Sequence, residues 1–90
     1  MTDVRAGVDA LDAQLVDMLA TRFGYMRAAA RIKPERSQVR DEARKAEVIG
    51  NASARAQDLG LPATAIAEIW DRLVEASISY EMTHWDSLRG

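Results

Sequence analysis

The chain has 90 residues, 48% of them hydrophobic and 29% charged, with a formal net charge of -2, a composition and length suited to one folded domain. No run of about 18 apolar residues is present to span a bilayer, and the N-terminal MTDVRAGVDALD carries acids where a secretory leader carries basic and apolar residues, so the expected location is the cytosol. Zero cysteines and a single histidine, His84, exclude disulfides, thiolate chemistry and a cysteine-ligated or histidine metal site, and the lack of a basic cluster argues against nucleic acid.

Thr2 or Asp3 can cap a first helix, and no proline interrupts the chain until Pro34, which pushes Lys33 out of helical geometry. The first helix is therefore expected over about residues 4–33. Its apolar seam runs in steps of three and four through Val8, Leu11, Leu15 and Met18, then Arg22, Tyr25/Met26, Ala29 and Ile32/Lys33. At 1.5 Å per residue the helix is about 44 Å long, whereas a compact chain of this size has a radius of gyration of only about 12 Å. Such a helix overhangs its own domain, and its apolar seam calls for a second chain; the length alone predicts an intertwined homodimer.

PERSQVR reads as a polar connector, after which DEARKAEVIGNASARAQDLG resumes a helical pattern. Ala43, Ala46, Ile49/Gly50, Ser53 and Ala56 fall on one face of this second helix, and Gly60 is its expected C-terminal cap. Pro62 suits the first turn of a third helix. Ile66, Ile69, Trp70, Leu73, Val74, Ser77, Ile78, Glu81 and Trp85 form its stripe, which ends near Trp85. No alternation of the strand type appears, so the fold class is all-α with three helices per protomer.

The informative residues are those that break the stripes. A guanidinium, Arg22, stands on the first seam where a leucine belongs, and a buried unpaired cation is costly. It must pair with an acid, bend out to solvent, or hold an anionic ligand. Lys33 lies eleven residues on, about 20° from alignment and about 16 Å along the axis, so two long side chains could grip one small anion between them. Ser77 and Glu81, four apart, share a face of the third helix. Without a ligand, Arg22 would form a structural ion pair with Glu81 and Lys33 would be a solvated helix end. Arg5 lies about 25 Å before Arg22, too far to share a ligand within one chain, although in an antiparallel dimer Arg5 of the partner protomer arrives beside Arg22. Asp41 and Arg44 open the second helix, where an acid favours the first turn.

Arg5, seventeen residues to Arg22, eleven to Lys33, the V-R-D-x-x-R segment at residues 39–44, and Ser77 four before Glu81 together resemble the small all-helical chorismate mutases of the AroQ class and the related isochorismate pyruvate lyases. The resemblance covers nearly the whole chain as one domain. It implies two interlocked protomers of three helices, with two active sites that each draw on both chains. It also implies that Arg22, and Arg5 of the partner protomer, bind the two carboxylates of chorismate, for which bidentate guanidinium geometry is suited. Lys33 would reach the ether oxygen and a neighbouring carboxylate, and Asp41 would accept from the ring hydroxyl. Arg44 would support that segment, and Ser77 would sit near a carboxylate. Glu81 stands where most bacterial members carry a glutamine that donates to the ether oxygen. The connector between Lys33 and Asp41 is a residue shorter than in the typical bacterial mutase and nearer to the lyases.

The chemistry so implied needs no nucleophile, metal or cofactor. Chorismate rearranges to prephenate by a pericyclic shift in which charge develops on the ether oxygen, so catalysis consists of folding the substrate and stabilising that oxygen. Two other readings stand beside the mutase. One is isochorismate pyruvate lyase, giving salicylate and pyruvate from much the same arrangement. The other is a non-catalytic helical dimerisation module whose seam arginines fix register.

Overall fold

The computed structural model describes residues Met1–Gly90 as three helices and one short turn of 3-10 helix. Helix α1 spans Thr2–Ile32, the 3-10 turn spans Arg36–Gln38, α2 spans Glu42–Asp58 and α3 spans Ala63–Arg89. The all-α class follows the reading of the sequence, and several boundaries differ from it. Helix α1 begins at Thr2, flanked by Met1 with no side-chain cap, so neither Thr2 nor Asp3 acts as the expected cap. Its end is as Pro34 dictates, with Lys33 extended at φ -70 and ψ 121. Helix α3 continues past Trp85 to Arg89, because nothing between Trp85 and Arg89 stops a helix.

Asp41 caps α2, its side chain accepting from the Arg44 backbone N–H at 3.0 Å. At the other end Gly60 takes φ +72, the left-handed conformation a side chain resists. The Leu61 N–H then bonds the Ala56 carbonyl at 2.8 Å and the Gly60 N–H bonds that of Gln57 at 3.1 Å, the paired closure that ends a helix at glycine. Leu59 is the cap residue itself, and Gly60 lies one position beyond it.

Helix α3 is the centre of the architecture. Both α1 and α2 pack on it, while their backbones do not approach one another. The core is small: Val39, Val74 and Ile78 are buried together, with Val48, Ile49, Met82 and Trp85 packed against them. Helix α2 turns Lys45, Val48, Ile49, Ala52, Ser53 and Ala56 inward and leaves Ala43, Ala46 and Gly50 exposed, so its buried face is rotated from the expected alanine stripe. Phe23 and Tyr80 join α1 to α3 edge to face, with ring centroids 4.9 Å apart.

Every residue from Met1 to Met18 is exposed. The first half of α1 therefore projects from the rest, and the radius of gyration is 15.7 Å against about 12 Å for a compact chain of this length. Val8, Leu11, Leu15 and Met18, the seam residues, are 50 to 61% exposed. No helix is long and apolar enough to cross a membrane.

A charge network fastens the start of α2 to α3. Glu75 accepts from Arg40 at 2.9 and 3.0 Å and from Lys45 at 2.9 Å, and Lys45 also pairs with Asp71 at 3.0 Å. These bonds, from Arg40 first and Lys45 second, hold the Glu75 carboxyl down at about 2. A depressed carboxyl stabilises the fold above its unfolded value and ceases to do so as pH falls through its folded value. Wild type should therefore melt higher than Glu75→Gln at neutral pH, with the gap narrowing from about pH 4.5 toward pH 2; melting curves followed by circular dichroism across that range measure it, and a gap that does not change with pH contradicts the assignment.

Candidate active site

Because α1 and α2 diverge while both rest on α3, a cleft of about 350 Å³ opens between them. Its walls bring together Arg22 and Lys33 from α1, Asp41 and Arg44 from the start of α2, and Ser77 and Glu81 from α3. Six of the seven residues singled out in the sequence thus meet in one place. Arg5 does not join them; it sits on the exposed, projecting half of α1.

The pairing inside the cleft differs from the ion pair the sequence offered. Glu81, the only buried charged residue, accepts from Lys33 Nζ at 2.8 Å, and not from Arg22. Arg22 instead donates through Nη1 to Ser77 Oγ at 2.6 Å, and the Ser77 hydroxyl in turn donates to the Leu73 carbonyl at 2.7 Å. One turn of α3 therefore separates two cations that might have shared a single acid. Lys33 is neutralised and Arg22 is not.

The electrostatics follow from that division. Partial burial holds the Arg22 guanidinium below its ordinary value, and the like charge of Arg44 adds to the effect. Arg22 stays protonated at any working pH, so the lowered value expresses the cost of keeping a cation there. Arg44 pairs with Glu47 at the surface, and Asp41 spends one oxygen on the α2 cap. An anion entering between Arg22 and Arg44 relieves both the desolvation of one and the repulsion between them.

Sequence reasoning passed over other cleft residues. Gln38 and Lys45 contribute polar atoms to its lining, and Met26, Ala29, Val39, Val48, Val74 and Ile78 supply the apolar wall. Lys45 is already neutralised by Asp71 and Glu75, so it is a fastening and not a free cation. Its proximity to Arg44 in the V-R-D-x-x-R segment was the one available signal. The apolar wall suits a flat ring, and the cations suit carboxylates.

Comparison with known proteins agrees with this chemistry. The family described as chorismate mutase type II matches residues 4–82. Isochorismate pyruvate lyase of Pseudomonas aeruginosa is 24% identical over 90 residues, covering 100% of this chain and 89% of that protein. No solved structure matches the chain significantly.

If Arg22 is held for a ligand at the expense of the fold, removing its charge should not harm stability. Arg22→Met leaves the Ser77 hydroxyl bonded to the Leu73 carbonyl, so no polar group is orphaned. We expect urea unfolding of Arg22→Met to show stability equal to wild type or higher by about 1 kcal/mol; a loss of that size or more would mark Arg22 as a structural residue.

Proposed function

From the premise that this chain belongs to the chorismate mutase type II family, we propose that it is a chorismate mutase, rearranging chorismate to prephenate in the cleft between α1 and α2. The observation that carries this reading is the uncompensated Arg22 facing the Arg44 charge in a half-apolar cleft. A dicarboxylate with a planar ring supplies the missing negative charge and fills the apolar wall. Arg22 takes one carboxylate, held at the right height by Ser77. Arg44 and Asp41 stand at the other side of the ring, Asp41 with one oxygen left to accept from a hydroxyl.

The ether oxygen gains charge as its bond to the ring breaks, and Lys33 is the group placed to meet it. An ammonium has three donors, of which Glu81 takes one. Glu81 thus aims Lys33, and an amide in its place would itself donate to the oxygen. The step is pericyclic, so no proton needs to leave the substrate and no covalent intermediate forms. Preorganised charge and a folded substrate account for the acceleration.

The exposed seam of α1 and the distance of Arg5 from the cleft support a second part of the proposal, a homodimer in which Arg5 of the partner protomer completes the anion site. The Pseudomonas aeruginosa relative and the short connector favour one alternative, isochorismate pyruvate lyase activity, which breaks the same ether bond with transfer of a hydrogen to give salicylate and pyruvate.

Assays with both substrates separate the readings: chorismate should be consumed and prephenate formed, whereas salicylate fluorescence from isochorismate without comparable loss of chorismate would reverse the order. In the same assay Glu81→Gln, which supplies an amide donor to the ether oxygen, should turn over chorismate at least as fast as wild type; a folded but inactive Glu81→Gln would leave Glu81 with the aiming of Lys33 alone.

For the shared site, Arg5→Ala and Arg22→Ala should each be inactive alone, and a mixture should regain activity, since the heterodimer holds one site with both cations and one with neither. Failure of the mixture to recover, with subunit exchange demonstrated, would show that the two arginines do not meet.

A further inference from the structure

The final turn of α3 lies beyond the residues matched to the family, which end at residue 82, yet it bonds directly to the strand of backbone that carries Lys33. Pro34 has no N–H, so the Ala30 carbonyl, which would receive the N–H four residues on, has no partner within α1. Ala30 is completely buried, and an unpaired carbonyl there would be costly. Arg89 supplies the missing donor: Nη1 reaches the Ala30 carbonyl at 3.1 Å and Nη2 reaches that of Lys33 at 2.8 Å. Trp85 Nε1 donates to the same Lys33 carbonyl at 2.9 Å, and the Arg89 guanidinium lies 4.3 Å from the Trp85 ring centroid, where the cation is attracted to the ring face. Between them Asp86 receives Arg36 of the connector at 2.8 and 3.2 Å.

Lys33 is thus held at both ends. Three donors from Trp85 and Arg89 fix its neighbourhood of backbone, and Glu81 fixes its ammonium. We infer that Trp85 and Arg89 are positioning residues for Lys33, forming a clamp that sets where its ammonium stands in the cleft. Neither lines the cleft, so neither is a catalytic residue; each acts through Lys33. The kinetic part of this inference rests on the function proposed above, whereas the placement of Lys33 does not.

The chain's two lysines, Lys33 and Lys45, make the placement measurable without turnover. Labelling of the intact protein with trinitrobenzenesulfonate, resolved by peptide mass spectrometry, reads the two amines separately, with Lys45, fastened to Asp71 and Glu75, as the internal reference. Trp85→Phe, which keeps the ring and loses the N–H, and Arg89→Gln should each raise the Lys33 to Lys45 labelling ratio by about threefold, the effect of losing a hydrogen bond or two. Arg89→Lys, which keeps the cation but replaces the two-nitrogen fork with a single nitrogen, should fall between Arg89→Gln and wild type. In the active enzyme the same variants should lose roughly tenfold in kcat with KM little changed, since misplacing a group by a fraction of an ångström slows the step more than it weakens binding. Measurements are made where far-UV circular dichroism shows each variant folded, and Arg89→Lys serves where Arg89→Gln does not fold. An unchanged labelling ratio in folded variants overturns the inference, as does a raised ratio that leaves kcat untouched. Should wild type turn over neither chorismate nor isochorismate, the functional reading fails while the labelling ratio still decides the clamp.

Discussion

A cation left without an acid is the constraint on which the rest of this structure turns. Helix α3 offers the cleft two polar groups one turn apart, a hydroxyl at Ser77 and a carboxylate at Glu81, and α1 brings two cations to them. The carboxylate goes to Lys33 at 2.8 Å and the hydroxyl to Arg22 at 2.6 Å. A hydroxyl orients a guanidinium but cannot discharge it, so Arg22 keeps a positive charge that no acid of the chain pairs with. Had Glu81 met Arg22, the uncompensated charge would have passed to Lys33 at the end of α1.

Much of this could be read from the order of residues, and what could not has a common cause. The three helices, the long first one and the cations on its seam follow from spacing along a single helix, which the chain states directly. Pro34 and Gly60 mark their breaks by backbone chemistry alone. Pairing between helices is another matter, because it depends on how α1 crosses α3, and so the sequence offered Arg22 to Glu81 when Lys33 takes it. Helix α2 misled for a different reason: alanines lie all round it, so its stripe of small residues did not reveal that Lys45, Val48 and Ile49 face inward. The extension of α3 to Arg89 had no local mark at all, since its value lies in the Ala30 carbonyl that Pro34 orphans, 59 residues earlier.

The fold is held by modest means. Seven residues of 90 are buried, and two of these, Ser77 and Glu81, belong to the cleft. Exposed ion pairs are individually weak, yet the group of Arg40, Lys45, Asp71 and Glu75 fastens the start of α2 to α3 beside the small core. Ser77 and Glu81 occupy interior positions of α3 that a purely structural helix would give to leucine, and ion pairs at the surface offset part of that cost.

Because α1 and α2 each rest on α3 and not on one another, the two sides of the cleft are independent parts. Arg22 and Lys33 belong to one and Asp41 and Arg44 to the other, joined by the connector through Pro34 and by their common support on α3. Under the proposed function, a substitution that shifts α2 would alter which ring substituents fit while leaving the carboxylate and ether contacts of α1 in register. Such a scaffold would let substrate preference drift along one side while the groups facing the breaking bond stay fixed on the other.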